Sequence, residues 1–202
     1  MQPEFILASS SKARLSLLGS VEIVPSLVLS PNTDETQLKN ETPRTYCLRV
    51  AEKKFDSALQ ILLKKNTPHS KHAIMLTADT TAACGRRILH KSYDKDEIRR
   101  HLKLISGRRH KVFTAIVCGL LVDGKVQASK KKVVESILKF KRLQPSEIES
   151  WVISGQCEGN AGGYTLNGIA QRYLQFIRGS YSNVIGLPLY EVVQSLHSFG
   201  YK

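Results

Sequence analysis

Ile74-Met75-Leu76-Thr77-Ala78, followed at once by Asp79-Thr80-Thr81, is the stretch on which the fold turns. Five mostly aliphatic residues in a row read as a buried strand, and a second extended run ends in Arg87-Ile88-Leu89, with Lys91 shortly beyond it. The pattern puts Asp79 at the end of the first strand. A carboxylate there has two readings: it caps a turn, or it faces a site.

Upstream, Thr42-Pro43 is a good helix start, and apolar residues at Cys47, Val50, Ala51, Phe55, Ala58, Leu59 and Leu62 form one inward stripe of a helix over residues 42–63. Lys54 falls on that stripe. An ammonium there either snorkels to water or meets an anion, because burying it unpaired is costly. Further upstream, Phe5-Ile6-Leu7-Ala8 reads as a strand, Ser9-Ser10-Ser11 as a loop, and residues 12–18 as a helix capped by serine hydroxyls. A helix N-terminus offers free N–H groups and partial positive charge, so this loop with Lys12 and Arg14 suits phosphate oxygens. Serine caps occur on many helices, and the feature alone is unspecific.

Downstream, residues 93–104 read as a helix with Asp94, Asp96 and Glu97 early and Arg99, Arg100 and Lys103 late, the polarity that suits the helix dipole. A strand over residues 112–122, an Asp123-Gly124 turn and a strand over residues 133–140 make a hairpin. The basic run Lys130-Lys131-Lys132 is expected at that hairpin, as solvated surface. A short helix at Pro145–Ile153 puts Trp151 near the core, Gly162-Gly163-Tyr164 opens a loop and strand region, and a last helix covers residues 183–196, started or interrupted by Pro188. Strands alternating with helices, plus a hairpin, argue for an α/β domain around a mixed sheet.

The chain has 202 residues, 42% of them hydrophobic, enough for a real core in one domain or two tightly joined lobes. Its formal charge of +13 favours polyanions, either nucleic acid or nucleotides. No motif interleaves aromatic with basic residues in the manner of RNA-binding modules. Cys47, Cys84, Cys118 and Cys157 are too widely spaced for a zinc clamp or a redox pair. No apolar run approaches the roughly 20 residues that span a bilayer, and the first eleven residues lack the pattern of a signal peptide. A reducing cytoplasm is the compartment these features lead us to expect.

Six blocks carry a family resemblance. Leu7-Ala8-Ser9-Ser10-Ser11-Lys12-Ala13-Arg14 comes first, then Ala78-Asp79-Thr80, Ile88-Leu89-His90-Lys91, and Ser106-Gly107-Arg108-Arg109-His110 running on to Thr114. Ala161-Gly162-Gly163-Tyr164 and Gly179-Ser180-Tyr181-Ser182-Asn183 through Pro188 complete the series. In this order they resemble the Maf family, and the Ala-Asp-Thr, Ser-Gly-Arg-x-His and Ala-Gly-x-Tyr forms are similar to its branch acting on dTTP and UTP. The resemblance implies an elongated α/β fold over residues 1–202, like that of the inosine triphosphatases, with two lobes around a nucleotide cleft. It also implies hydrolysis of a nucleoside triphosphate to the monophosphate and pyrophosphate, dependence on magnesium or manganese, and often a homodimer.

Carried over residue by residue, the resemblance makes Asp79 the proton acceptor and gathers Arg14, Lys54 and Lys91 around the phosphates. It implies phosphate contacts from Ser9 and Ser11 and base selection at Ala13, Thr80 and Asn167. Magnesium prefers oxygen ligands, so Glu35 and Asp79 are the candidate metal ligands; the other reading leaves Asp34-Glu35 as an exposed acidic loop. Two positions depart from the family. Ala13 stands where the first of two arginines is usual, with Lys12 replacing a proline, and Asn167 stands where glutamine is usual. Those departures leave the base preference open between pyrimidine and modified purine triphosphates. Loss of the arginine also keeps in view a non-catalytic regulator that binds nucleotide or nucleic acid on the same fold.

Overall fold

The computed structural model describes residues 3–64 and 71–202; residues 1 and 2 of the N-terminal stretch lie outside this range. One seven-stranded mixed sheet runs through it. In chain order the elements are β1 (Glu4–Ala8), α1 (Lys12–Gly19), β2 (Leu27–Leu29), α2 (Pro43–Lys64), β3 (His72–Cys84), β4 (Arg87–Leu89), α3 (Lys95–Ile105), β5 (Arg109–Val122), β6 (Lys125–Phe140), α4 (Pro145–Ile153), β7 (Leu174–Arg178), α5 (Tyr181–Ile185) and α6 (Leu189–Ser198). The strand order is β2-β1-β3-β5-β6-β7, with β4 added to β3 off this path.

Alternation along the central strands sorts side chains onto two buried faces, as the period of two requires. Ile6, Ala8, Met75, Ala115 and Val117 pack under the α2 stripe of Cys47, Ala51, Phe55, Ala58 and Leu62. Phe5, Leu7, Ile74, Leu76, Ala78, Ile116 and Cys118 pack on the opposite side against Leu18 of α1 and Val192 and Leu196 of α6. A third cluster joins Ile98, Leu102 and Ile105 of α3 to Trp151 of α4, Phe140 and Tyr164. Both faces being covered explains why the strand at residue 74 reads as an unbroken apolar run.

β3 is longer than the sequence pattern indicates. Asp79 lies mid-strand, because Thr80, Thr81, Ala82 and Ala83 continue the pairing with β5 through Ala83↔Lys111. On its other edge β3 is forked. β1 pairs with it at Ala73, Ile74, Met75 and Leu76, and β4 at Ala82, Ala83 and Cys84, leaving residues 77–81 with β5 alone. The fork is a notch in the sheet, and Asp79 is at its centre.

The hairpin turn falls at Asp123 and Gly124, both with positive φ (48° and 74°), the geometry that suits a two-residue connection. The basic run is therefore not at the turn. Lys130, Lys131 and Lys132 lie within β6, opposite Cys118, Val117 and Ile116, and are exposed, as expected of solvated charges. Among the described residues, only Ile137, Leu138, Lys139 and Phe140 of β6 have a second strand partner, β7; residues 125–134 have none on their outer edge, while Glu135 and Ser136 are covered by Gly179 and Ser180. The expected last helix is two, α5 and α6, separated where Gly186 takes a φ of 124° and Pro188 offers no N–H. All four cysteines are free, and burial raises the thiols of Cys47 and Cys118 to about 12, which makes them poor nucleophiles.

Candidate active site

The notch is framed by five segments: the loop at residues 9–11, α1, the loop carrying Glu35, α2 and the stretch following β4. Ser11 is the N-cap of α1, its hydroxyl accepting from the N–H of Arg14. Ser9 accepts from the Ser11 N–H at 3.3 Å and from Arg14 Nη1 at 2.9 Å. Both hydroxyls use their lone pairs within the chain, so each keeps an O–H to donate to an anion.

Arg14 is 8% exposed and fixed from three sides. Its Nε donates to Gly186 O at 2.8 Å, Nη1 to Ser9 and Nη2 to Thr80 Oγ1 at 3.2 Å. Of its five N–H donors, two are left for a ligand. Burial lowers its pKa, against which the nearby Asp79 charge raises it.

Asp79 points to the α2 face, where Lys54 Nζ lies 2.6 Å from its Oδ1. The same ammonium is 2.7 Å from Glu35 Oε1. Thr81 donates its hydroxyl to Asp79 Oδ2 at 3.3 Å, and the Cys47 thiol donates to the Asp79 carbonyl at the same distance. Tyr46 of α2 donates to the Glu35 carbonyl at 2.8 Å, which anchors the acidic loop over the notch. Burial works against the charged form of Glu35, but the bond and charge of Lys54, then Lys91 and Arg14, prevail and hold its pKa below the ordinary range. Of Asp34 and Glu35, only Glu35 faces the cleft; Asp34 is turned to solvent and bonds Thr36.

Lys91 enters from the far wall, where it bridges to Ala161. Its residue surface is largely exposed, yet its ammonium is partly stripped of water by the cleft walls. This desolvation, with the like charges of Lys54 and Arg14, pushes its pKa down. Arg14, Lys54 and Lys91 thus line one cavity with Glu35, and Asp79 lines the adjoining pocket with Glu35 and Lys91, an arrangement that attracts a polyanion.

Beyond Arg14 the cleft widens into a hollow lined by residues of α1, β3, β5, α5 and the loop before Tyr164. Ala13, Ala82, Val112, Val184 and Ile185 give it apolar walls, and Thr80, Asn160, Tyr164 and Thr165 bring polar groups. Ala13 is at the wall. Asn167 is not: it is exposed, and its Oδ1 accepts from the Tyr181 hydroxyl at 3.0 Å. Sequence reasoning missed Asn160, whose Nδ2 donates to the carbonyls of Gln156 and Glu158 and so turns its Oδ1 away from them. Its position directly before the Ala161-Gly162-Gly163-Tyr164 block was the signal available.

The Maf-like protein family matches residues 4–199. The chain belongs to the Maf family. Among curated Maf relatives, a nucleoside triphosphate pyrophosphatase of Anaplasma marginale (strain Florida) is 44% identical over 92% of this chain and 89% of its own length. A nucleoside triphosphate pyrophosphatase of Neorickettsia sennetsu is 42% identical over 99% of this chain and 90% of its own. A dTTP/UTP pyrophosphatase of Sphingopyxis alaskensis is 41% identical over 98% and 97%. This Maf chain has no helix long and apolar enough to cross a membrane among the described residues.

Proposed function

We propose that this Maf protein hydrolyses a nucleoside triphosphate between its α and β phosphates, releasing the monophosphate and pyrophosphate. The observation that carries this reading is the buried Asp79, held by Lys54 at the centre of a notch rimmed by Arg14, Lys91 and the Ser9–Ser11 hydroxyls. Curated relatives along nearly the whole chain bear the corresponding name. The two lobes flanking the notch act as one unit.

In this mechanism the triphosphate lies along the cationic rim. The two spare N–H groups of Arg14 and the ammonium of Lys91 take non-bridging oxygens, and the Ser9 and Ser11 hydroxyls donate to them. Cations fixed in advance of the reaction stabilise the charge that builds on the leaving pyrophosphate, usually the largest catalytic contribution. Asp79 takes the proton of the attacking water, and Lys54 orients its carboxylate. The base occupies the adjoining hollow, against Ala13 and Thr80, with dTTP or UTP or a related modified nucleotide as the substrate class. Asn167 lies outside this hollow, its Oδ1 accepting from the Tyr181 hydroxyl.

Magnesium or manganese is part of the proposal. Glu35 and Asp79 would hold such an ion, because the two carboxylates share Lys54, at 2.7 and 2.6 Å from its Nζ, and so lie close enough together to serve one cation beside that ammonium. Among the described residues no cluster of three or more side-chain ligands exists, so phosphate oxygens would complete the shell, the usual habit of magnesium. The ion would supply charge neutralisation at the phosphates. A homodimer in the cytoplasm, where four unpaired cysteines are at home, completes the reading.

The test is incubation of the pure protein with canonical and modified triphosphates, with and without Mg²⁺ or Mn²⁺, and identification of the products. Metal-dependent monophosphate and pyrophosphate are expected. Diphosphate and orthophosphate would mean a different bond is cut, and salt-sensitive nucleic-acid binding without any hydrolysis would replace the enzyme by a binding protein. Light scattering of the eluted protein reads the dimer.

A further inference from the structure

Behind the hollow, a line of hydrogen bonds leaves Arg14 and crosses the sheet. Thr80 of β3 and Thr114 of β5 are register partners, with their hydroxyl oxygens 3.0 Å apart. Thr114 is fully buried and its hydroxyl donates to Asn183 O at 2.8 Å. Thr114 has one proton and spends it on that carbonyl, so the 3.0 Å contact draws on the Thr80 proton, whose other acceptor, Gly186 O, is farther away at 3.4 Å. Thr80 in turn accepts from Arg14 Nη2. The shorter contacts run from Arg14 to Thr80, from Thr80 to Thr114 and from Thr114 to the Asn183 carbonyl.

The far end is anchored as firmly. Asn183 is fully buried, and its Nδ2 donates to Ser136 Oγ at 2.9 Å and to Val112 O at 3.3 Å. Ser136 passes its proton to Ser180 O, at the start of α5. The other end of α5 supplies Val184, Ile185 and Gly186 to the hollow, and Gly186 O receives the Nε of Arg14. The wall of the hollow and the guanidinium are thus two ends of one closed circuit, with Thr114 its only side chain from β5.

We infer that Thr114 is a positioning residue for nucleotide binding: it touches no part of the hollow, but its hydroxyl sets the rotamer of Thr80, which aims Arg14. Hydrogen bonds in series polarise one another, and loss of a middle member frees both neighbours. Val in place of Thr114 keeps the shape and removes both the acceptor for Thr80 and the donor to α5. Ser keeps both.

The inference rests on the triphosphate reading given above, and the experiment separates the two. Steady-state kinetics with the preferred triphosphate are measured for the wild-type protein, Thr114→Val, Thr114→Ser, Thr80→Val and the Thr80→Val/Thr114→Val double variant. Thr114→Val is expected to raise KM about tenfold, the effect of one coupled hydrogen bond, with kcat within about threefold of wild type. Thr114→Ser restores KM, and the double variant is no worse than Thr80→Val alone, because the circuit is already open. An unchanged KM in Thr114→Val, equal losses in Val and Ser, or effects that multiply in the double variant each overturn it. If Val is not accommodated, Thr114→Ala takes its place in the cycle. A wild-type protein without hydrolysis overturns the reaction assignment instead, and the same cycle read in the dissociation constant for a triphosphate by calorimetry then decides the role of Thr114.

Discussion

The ammonium of Lys54 lies 2.6 Å from the carboxylate of Asp79, joining the middle of α2 to the middle of β3 at the one place where the sheet is forked. Asp79 is 3% exposed, so this pair is shielded from water and each partner depends on the other.

Replacing Asp79 by Asn keeps the size of the side chain and removes the base. Turnover should fall at least about a hundredfold with the fold intact, checked by pyrophosphate release beside a thermal melt. Near-normal turnover would assign the proton to another group.

Lys54 and Lys91 should respond differently to alanine. Lys54→Ala strands a buried carboxylate and should lose about 3 kcal/mol of stability along with turnover. Lys91→Ala relieves like charges, as the lowered pKa of Lys91 indicates, so stability should stay within about 0.5 kcal/mol while KM rises. Denaturant melts paired with kinetics separate the cases; equal stability losses would contradict the assignment.

His110 gives the fold a pH dependence. Burial lowers its pKa to about 4 from an ordinary 6.5, and its Nε2 meets the Tyr164 hydroxyl at 2.7 Å. Between those values the unfolded chain binds a proton that the folded chain refuses, so stability is full near neutrality and falls as pH falls. The loss between pH 7 and pH 5 should be about 2 kcal/mol from this group, by linkage. Urea melts at both values should show it, and His110→Gln should remove that share.

Gly186 combines a φ of 124° with a place beside the guanidinium. A Cβ there would lie 3.3 Å from Thr80 Oγ1 and 3.8 Å from Arg14 Nε. Gly186→Ala is expected to cost about 1–3 kcal/mol in backbone strain and to raise KM. A variant with unaltered KM and melting would show that neither the conformation nor the close approach matters.

Much of this could be read from the chain because local pattern and tertiary role agree. The stripe of α2 placed Lys54 on a buried face, and the alternatives for that ammonium are decided by Asp79 and Glu35 beside it. What could not be read depended on partners distant in sequence. Asp79 looked like a strand end because Thr80 and Thr81 suit turns as well as strands, and pairing with β5, joined by β4 from Ala82, extends β3 past them. Lys130, Lys131 and Lys132 were legible as solvated charge at the hairpin, but charge alone does not reveal that β5 supplies a strand partner for each. Asn167 matched a family position, but its exposed site beside Tyr181 is set by loop packing that no local motif records.

The bare flank of β6 has a consequence for the protein in a crowded solution. An uncapped row of peptide groups invites a strand from another molecule, the first step toward fibrils. Lys125, Lys130, Lys131 and Lys132 line this row, so two such flanks brought side by side would set ammonium against ammonium. The cationic sequence acts as a guard against templated stacking.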